Sequence, residues 1–328
     1  MKVLVIGGTL FIGKALVASL LKHDHEVTIV HRKPGHEFGR RVHEIVCDRK
    51  DLNAFQAAIA GQRFDAVYDN VYDWQRATTA DQVEGTAKLF TGLQRYIFMS
   101  SVAAYGDGLN HHEGDALAPD NHPDPYVRNK AMSERALFRL HQRYRFPVVT
   151  LRPPFIYGPG NPYYREAFFW DRMRDGRPII IPGDGRRLMQ FVYIKDLVQA
   201  AIAVLTEPHA IGHAFNIANP KPITQVELVE LLAEACGKKP ELIRIPRQFM
   251  LQSGGHPMGP KLYFAVYYDL PPITEVVTKA QRVLHFQPTD FLTGLKETYR
   301  WYLRHHERNP ANYAFEDHLI ANRPPMPV

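Results

Sequence analysis

The chain opens on Val3-Leu4-Val5-Ile6 and runs at once into Gly7-Gly8-Thr9-Leu10-Phe11-Ile12-Gly13. An unbroken apolar run of this length suits a strand covered on both faces of a parallel sheet. The glycines that follow suit a turn too tight for side chains. From Phe11 to Lys22 apolar residues recur at helical spacing, with Ile12, Leu16 and Leu20 on one face and Ala15 beside them. Strand, glycine turn and helix in that order leave free N–H groups and a positive dipole end at the turn, a receptor for a pyrophosphate. A glycine motif alone says little; its position between a buried strand and an amphipathic helix gives it meaning.

The same pattern repeats. Val27–Val30, Ile45-Val46, Ala66–Tyr68, Tyr96–Met99 and Val148–Leu151 read as further strands, with helical patterns around 52–60 and 74–90 between them. Strand alternating with helix predicts an α/β fold, a doubly wound parallel sheet of the Rossmann type. After residue 157 the pattern changes to shorter elements broken by Gly158-Pro159-Gly160-Asn161-Pro162, Pro182-Gly183-Asp184-Gly185 and Gly254-Gly255-His256-Pro257. Within this region Thr224-x-x-Glu227 forms a capping box ahead of an apolar periodic run to about Ala235. The expected organisation is a dinucleotide-binding domain over 1–156, to which 191–217 returns. A smaller interleaved substrate domain covers 157–190 and 218–302, and a polar, Pro-rich surface tail covers 303–328.

Composition narrows the class. At 45% hydrophobic and 23% charged residues the chain can bury a large core. Its net charge of +6 is scattered rather than gathered in a basic block, which argues against nucleic acid and agrees with an anionic small ligand. Cys47 and Cys236 lie far apart in apolar contexts, the usage of a reducing compartment. The opening apolar run is too short for a signal peptide, and no stretch approaches the roughly 18 apolar residues of a membrane span. A cytoplasmic protein is expected. The adjacent pairs His111-His112 and His305-His306 point apart on any regular element, and no spacing matches a zinc site, so no metal is expected.

Two further sites carry chemistry. The second strand ends in His31-Arg32-Lys33. An acid there would accept bonds from the adenosine ribose; cations there favour a 2′-phosphate, so NADP is expected ahead of NAD. The other site is Tyr126-x-x-x-Lys130, at the start of a helix running to about Tyr144, whose spacing puts both side chains on one face. A nearby ammonium favours phenolate and prepares Tyr126 to move a proton. Ser101, closing the fifth strand in Met99-Ser100-Ser101, can hold the reacting oxygen.

Together these residues resemble the NAD-dependent epimerase/dehydratase family of extended short-chain dehydrogenase/reductases, from Lys2 to Tyr302. The resemblance takes in Asp48, Tyr105-Gly106, Arg152-Pro153-Pro154-Phe155-Ile156-Tyr157-Gly158-Pro159-Gly160 and Phe191-Val192-Tyr193-Ile194-Lys195-Asp196. It implies a catalytic triad of Ser101, Tyr126 and Lys130. It implies cofactor contacts from Gly7, Thr9, Leu10, Phe11, Ile12, His31, Arg32, Asp48, Asp69, Asn70, Tyr126, Lys130, Pro153 and Phe155. It also implies a homodimer through the helices at 74–90 and after Tyr126, whose Ala131, Ala136, Leu137 and Leu140 are apolar.

The departures cluster where the family holds sugar nucleotides. The middle glycine of the turn is Leu10. Met189 and Gln190 stand where an arginine and an acid are usual after Gly183-Asp184-Gly185, Phe155 replaces an asparagine, and Tyr267-Tyr268-Asp269-Leu270 lacks the later arginine. Each lost phosphate partner removes a charge-assisted bond of about 1.5–3 kcal/mol. Substrate contacts are expected from Ser101, Phe155, Arg186, Arg187 and Met189. The expected substrate is a small molecule, a sugar derivative without a nucleoside diphosphate. A nucleotide-sugar epimerase/dehydratase is the alternative, and so is a non-catalytic RNA-binding or regulatory protein, because these departures resemble a divergent branch that includes chloroplast stem-loop-binding proteins.

Overall fold

The computed structural model describes residues 1–307 and 312–326. Its centre is a sheet of β1 (Lys2–Ile6), β2 (Glu26–His31), β3 (Val42–Val46), β4 (Ala66–Asp69), β5 (Arg95–Met99), β6 (Val148–Arg152) and β7 (His213–Asn216). Every pairing is parallel, in the order β3-β2-β1-β4-β5-β6-β7. The order reverses between β1 and β4, so a crevice opens at their carboxyl ends, where doubly wound sheets take ligands.

The pleat sorts the apolar runs into two cores. Val3 and Val5 of β1 point to one face with Leu16, Val17 and Leu20 of α1 (Phe11–Lys22), and with Leu197 and Ala201 of the helix over 194–206. Leu4 and Ile6 point to the other face with Phe55 of α2 (Leu52–Ala58), Val83 of α3 (Ala80–Lys88) and Leu137 of α4 (Pro125–Tyr144). Both strand faces are buried, which is why the strands read as continuous rather than alternating apolar runs. The first core continues without a break into Phe168, Phe169 and Trp170 of α5 (Glu166–Arg174) and into Leu228 and Leu232 of a helix over 225–236. That last helix carries the expected Thr224/Glu227 capping box.

Two differences from the sequence reading have local causes. The helix expected from 74 begins at Ala80, because Thr79 and Gln82 form a capping box there. Residues 70–79 are therefore free to form a loop reaching over the carboxyl edge of the sheet. The tail is more than a polar surface segment: Ala314–Ala321 is a helix whose Leu319 is fully buried and whose Glu316 pairs with the buried Arg172. Residues 308–311 and 327–328 of that tail lie outside the described residues.

Candidate active site

The glycine turn is built as the sequence requires. Gly7 has φ +88°, a conformation L side chains rarely adopt, and a Cβ there would sit 2.4 Å from a Val71 methyl. A Cβ on Gly13 would lie 1.8 Å from the Gly7 carbonyl oxygen, so only glycine lets α1 approach β1 this closely. Leu10 precedes the helix in extended conformation, without a side-chain cap, and its own side chain is 73% exposed. The first N–H groups of α1, from Phe11, Ile12 and Gly13, are thus left for a ligand. Thr9, Phe11 and Ile12 are partly buried beside the turn. Across it, the amide of Asn70 at the end of β4 has both its oxygen and its nitrogen buried without a partner. An orphaned amide facing an uncapped helix start fits a dinucleotide, which would satisfy both.

The far edge of the crevice corrects part of the sequence reading. The Asp69 side chain, expected to touch the cofactor, is turned to a buried arginine. It is fully buried and holds Arg49 through two hydrogen bonds of 3.1 and 2.7 Å, with the Tyr96 hydroxyl donating at 2.9 Å. His31 is likewise engaged, its Nε2 lying 2.6 Å from a Glu44 oxygen on the neighbouring strand. The acid missing after β2 is supplied from the 70–79 loop: Asp73, almost fully buried, receives Arg32 at 3.1 Å, Arg76 at 3.0 Å and Lys50 at 3.4 Å. Its carboxyl is held down at about 2: backbone N–H bonds from Arg76 and Gln75, and then these cations, outweigh the opposing effect of burial. Asp48 accepts from Arg76 at 2.7 Å. Three cations therefore stand against two carboxylates here.

Ser101, Tyr126 and Lys130 converge at the carboxyl end of β5. Ser101 follows the strand and its hydroxyl accepts from the Ala103 N–H at 3.2 Å. Asp124 caps α4, accepting from the Tyr126 N–H at 2.7 Å, which fixes the helix start and with it the direction of both functional side chains. The Lys130 ammonium is buried and donates to the Met99 carbonyl at 2.6 Å. It lies 5.8 Å from the Tyr126 ring centroid. Burial brings Lys130 down to about 8 against the pull of Asp69 and Glu134. Burial also pushes the Tyr126 phenol up to about 12, with the hydrogen bond from Ser101 pulling the other way. The nearby ammonium was expected to favour phenolate; burial instead favours the neutral phenol, which can donate.

Beneath the triad lies a network that the sequence reading did not single out. Glu134, one helical turn beyond Lys130, takes Arg152 in bidentate fashion, at 2.9 Å from Nε and 2.6 Å from Nη2. Ser100 donates to the same carboxylate at 2.5 Å, and Arg152 reaches Tyr105 at 2.6 Å. Fully satisfied buried networks of this kind hold neighbouring side chains in one geometry.

Above the triad is an aromatic cover. Trp74, from the 70–79 loop, stacks on Tyr126 with centroids 4.7 Å apart and planes 24° from parallel. Tyr72 meets Tyr126 edge-on at 4.7 Å, and Tyr267 stacks on Trp74 at 6.2 Å. Phe155 contacts Tyr268 at 5.0 Å, and Arg165 lies over both rings. Pro153 is buried, its carbonyl accepting from Val102. Met189 is buried in a short antiparallel pair with Ile223. Gln190 is a structural bridge to Asn219 and Glu275. Arg187 is tied to Asp269, which also holds Arg247, while the Arg186 side chain is exposed. Tyr72, Trp74, Tyr163 and Arg165 were not singled out in the sequence, and Tyr267 only for the arginine its stretch lacks; clustered aromatics in Tyr72-Asp73-Trp74 and Tyr163-Tyr164-Arg165 were the available signal.

Comparison with known proteins agrees with this geometry. The family model described as NAD dependent epimerase/dehydratase family matches residues 3–218. The chain is 30% identical to chloroplast stem-loop binding protein of 41 kDa b from Arabidopsis thaliana, over 98% of this chain and 85% of that one. It is 27% identical to dTDP-glucose 4,6-dehydratase from an Actinoplanes species, over 92% of this chain and 98% of that one. Among solved structures, dTDP-glucose 4,6-dehydratase from Bacillus anthracis in complex with NAD superposes with a TM-score of 0.76 at 18% identity, covering 93% of this chain and 97% of that one. UDP-glucose 4-epimerase from Thermotoga maritima, with UDP-glucose, gives 0.72 at 23% identity, covering 93% and 99%. The chain belongs to the NAD dependent epimerase/dehydratase family, enzymes of the extended short-chain dehydrogenase/reductase type.

Proposed function

We propose that this protein is an NAD(P)-dependent oxidoreductase or epimerase acting on a hydroxyl or ketone of a small sugar derivative that lacks a nucleoside diphosphate. The observation that carries the reading is the meeting of Ser101, Tyr126 and Lys130 beside the uncapped start of α1. Gly7, Thr9, Leu10, Phe11 and Ile12 would hold the pyrophosphate, and Asn70 would hydrogen-bond the cofactor with its orphaned amide. The bound nicotinamide supplies a site that accepts or returns a hydride. Ser101 holds the substrate oxygen. Tyr126 gives that oxygen a proton when a ketone is reduced and removes one when an alcohol is oxidised. Lys130 keeps positive charge beside the phenol and the ribose. Residues 1–156 and 191–217 serve the cofactor, and 157–190 and 218–302 the substrate.

Buried Met189 and the engagement of Arg187 with Asp269 support a substrate without a diphosphate, since a phosphate beside Met189 would lack partners. Binding of NADP ahead of NAD is supported by the excess of cations at Arg32, Lys50 and Arg76. The homodimer rests on the family likeness alone, because Ala131, Ala136, Leu137 and Leu140 are buried within the subunit. Two unpaired cysteines fit a cytoplasmic location. Among the described residues, no helix is long and apolar enough to cross a membrane.

The test is calorimetric titration of the cofactor-loaded protein with UDP-, GDP- and dTDP-sugars. No binding is expected, and micromolar binding with turnover of any of them would sink the nucleotide-free reading. A second reading, RNA binding, is favoured by the name of the Arabidopsis relative. A salt-dependent complex with a stem-loop RNA, unaffected by saturating cofactor, would favour it over the enzyme.

A further inference from the structure

Five arginines are buried among the described residues: Arg49, Arg95, Arg152, Arg165 and Arg172. Arg49, Arg152 and Arg172 each grip a carboxylate, of Asp69, Glu134 and Glu316. Arg95 donates to three backbone carbonyls, those of Gln94, Val204 and Glu207. Arg165 is the exception. It is 8% exposed, yet its guanidinium has no hydrogen bond or ion pair with any described residue, and its Nε is enclosed without a partner. The adjacent Glu166 feels the charge of Arg165 but makes no hydrogen bond to it, accepting instead from the Tyr268 hydroxyl at 2.7 Å and from Asn161 at 3.0 Å. What surrounds the guanidinium is aromatic: Tyr163 at 4.6 Å, Phe155 at 5.2 Å, Tyr268 at 5.5 Å and Tyr267 at 5.6 Å.

Ring faces offset part of the cost of burying a cation and leave its N–H donors unsatisfied. Such a group is stabilised by an anion that it can hydrogen-bond, and no described residue accepts from this guanidinium. The same rings lead to the reacting centre. Tyr267 stacks on Trp74, and Trp74 stacks on Tyr126. We propose that Arg165 is the anion receptor of the substrate site, taking a carboxylate or phosphate carried by the substrate so that its hydroxyl carbon meets Ser101 and Tyr126. This rests on the enzyme reading above and narrows the substrate class to anionic molecules. Arg165 takes the place of the family arginine absent at Met189, from another element, the residue before α5.

The experiment is thermal unfolding and calorimetry of the NADP-saturated protein at constant ionic strength, with inorganic phosphate, acetate and neutral glucose as probes, for wild type and Arg165→Gln. Saturation closes the anion site at α1 beforehand; failure to bind either nicotinamide cofactor would sink the enzyme reading and leave the anion titration of the free protein to be read separately. Phosphate or acetate should bind wild type and raise its melting temperature, glucose should not, and Arg165→Gln should weaken the anion by about tenfold or more. The ligand-free variant should melt at or above wild type, because an unpaired buried charge has been removed. Which anion binds tells carboxylate from phosphate. UDP-glucose binding that depends on Arg165 would uphold the receptor and overturn only the nucleotide-free substrate. Anion binding absent from wild type, or undiminished in Arg165→Gln, overturns the proposal. So does a variant that fails to fold or melts far below wild type, with Arg165→Met doing the same, for the arginine would then be structural.

Discussion

The two sides of the crevice are built by different means. The side proposed for the pyrophosphate is mostly backbone: a strand end, a glycine turn and an uncapped helix start, within residues 2–22. The side proposed for the substrate is made of side chains brought from distant segments, with Tyr72 and Trp74 from one loop, Tyr126 from α4, Tyr163 and Arg165 before α5, and Tyr267 beyond. A backbone receptor tolerates many sequences provided glycine stays where a Cβ cannot fit. A side-chain receptor changes its ligand with each substitution. The family likeness therefore transfers well to the first side, while the second must be read from this chain alone.

The comparison can be broken from the backbone side first. Gly13→Ala forces a methyl against the Gly7 carbonyl oxygen, a separation of 1.8 Å that no rotamer relieves. It should cost about 3 kcal/mol of stability or more and abolish cofactor binding, as read by denaturant unfolding and nicotinamide fluorescence. A variant with wild-type affinity would mean that the turn is not the receptor.

The next effect lies at the junction of the two sides. Lys130 titrates near 8 in the folded chain against an ordinary value of 10.5. Its folded pKa is depressed, so its contribution to stability is complete above the unfolded value and lost as pH falls through the folded one. Between pH 10 and pH 8, wild type should lose about 2 kcal/mol relative to Lys130→Met. Parallel stability curves for the two proteins would place the ammonium in a wetter setting than the structure gives it.

The smallest effect sharpens cofactor choice. Arg32 shares Asp73 with Lys50 and Arg76, yet its side chain is 55% exposed. Arg32→Ala should narrow the preference for NADP over NAD by about 1–2 kcal/mol in paired titrations. Equal affinities in wild type, unchanged in the variant, would remove the preference.

How much was legible in the sequence follows the same division. The sheet, the glycine turn and the Tyr126/Lys130 spacing depend on local period and on short motifs, and their placement follows from the strands on either side. The pairing of Asp69 was not legible because a carboxylate at a strand end looks the same whether it meets a ligand or a buried arginine, and its partner Arg49 lies 20 residues away. Arg32 looked unopposed because Asp73 comes from a loop 41 residues on. Trp74 fell inside a helical pattern that Thr79 cuts short. Arg165 was invisible for a further reason: its meaning lies in a missing partner, which only the folded chain reveals.

The central claim is that Tyr126 moves the proton that accompanies hydride transfer. The direct measurement is turnover of Tyr126→Phe beside wild type, followed by nicotinamide absorbance with a substrate that wild type converts, together with cofactor affinity. The account predicts a loss of about 10²–10⁴-fold in rate with affinity nearly intact, since only one hydroxyl is removed. Turnover at the wild-type rate would contradict it.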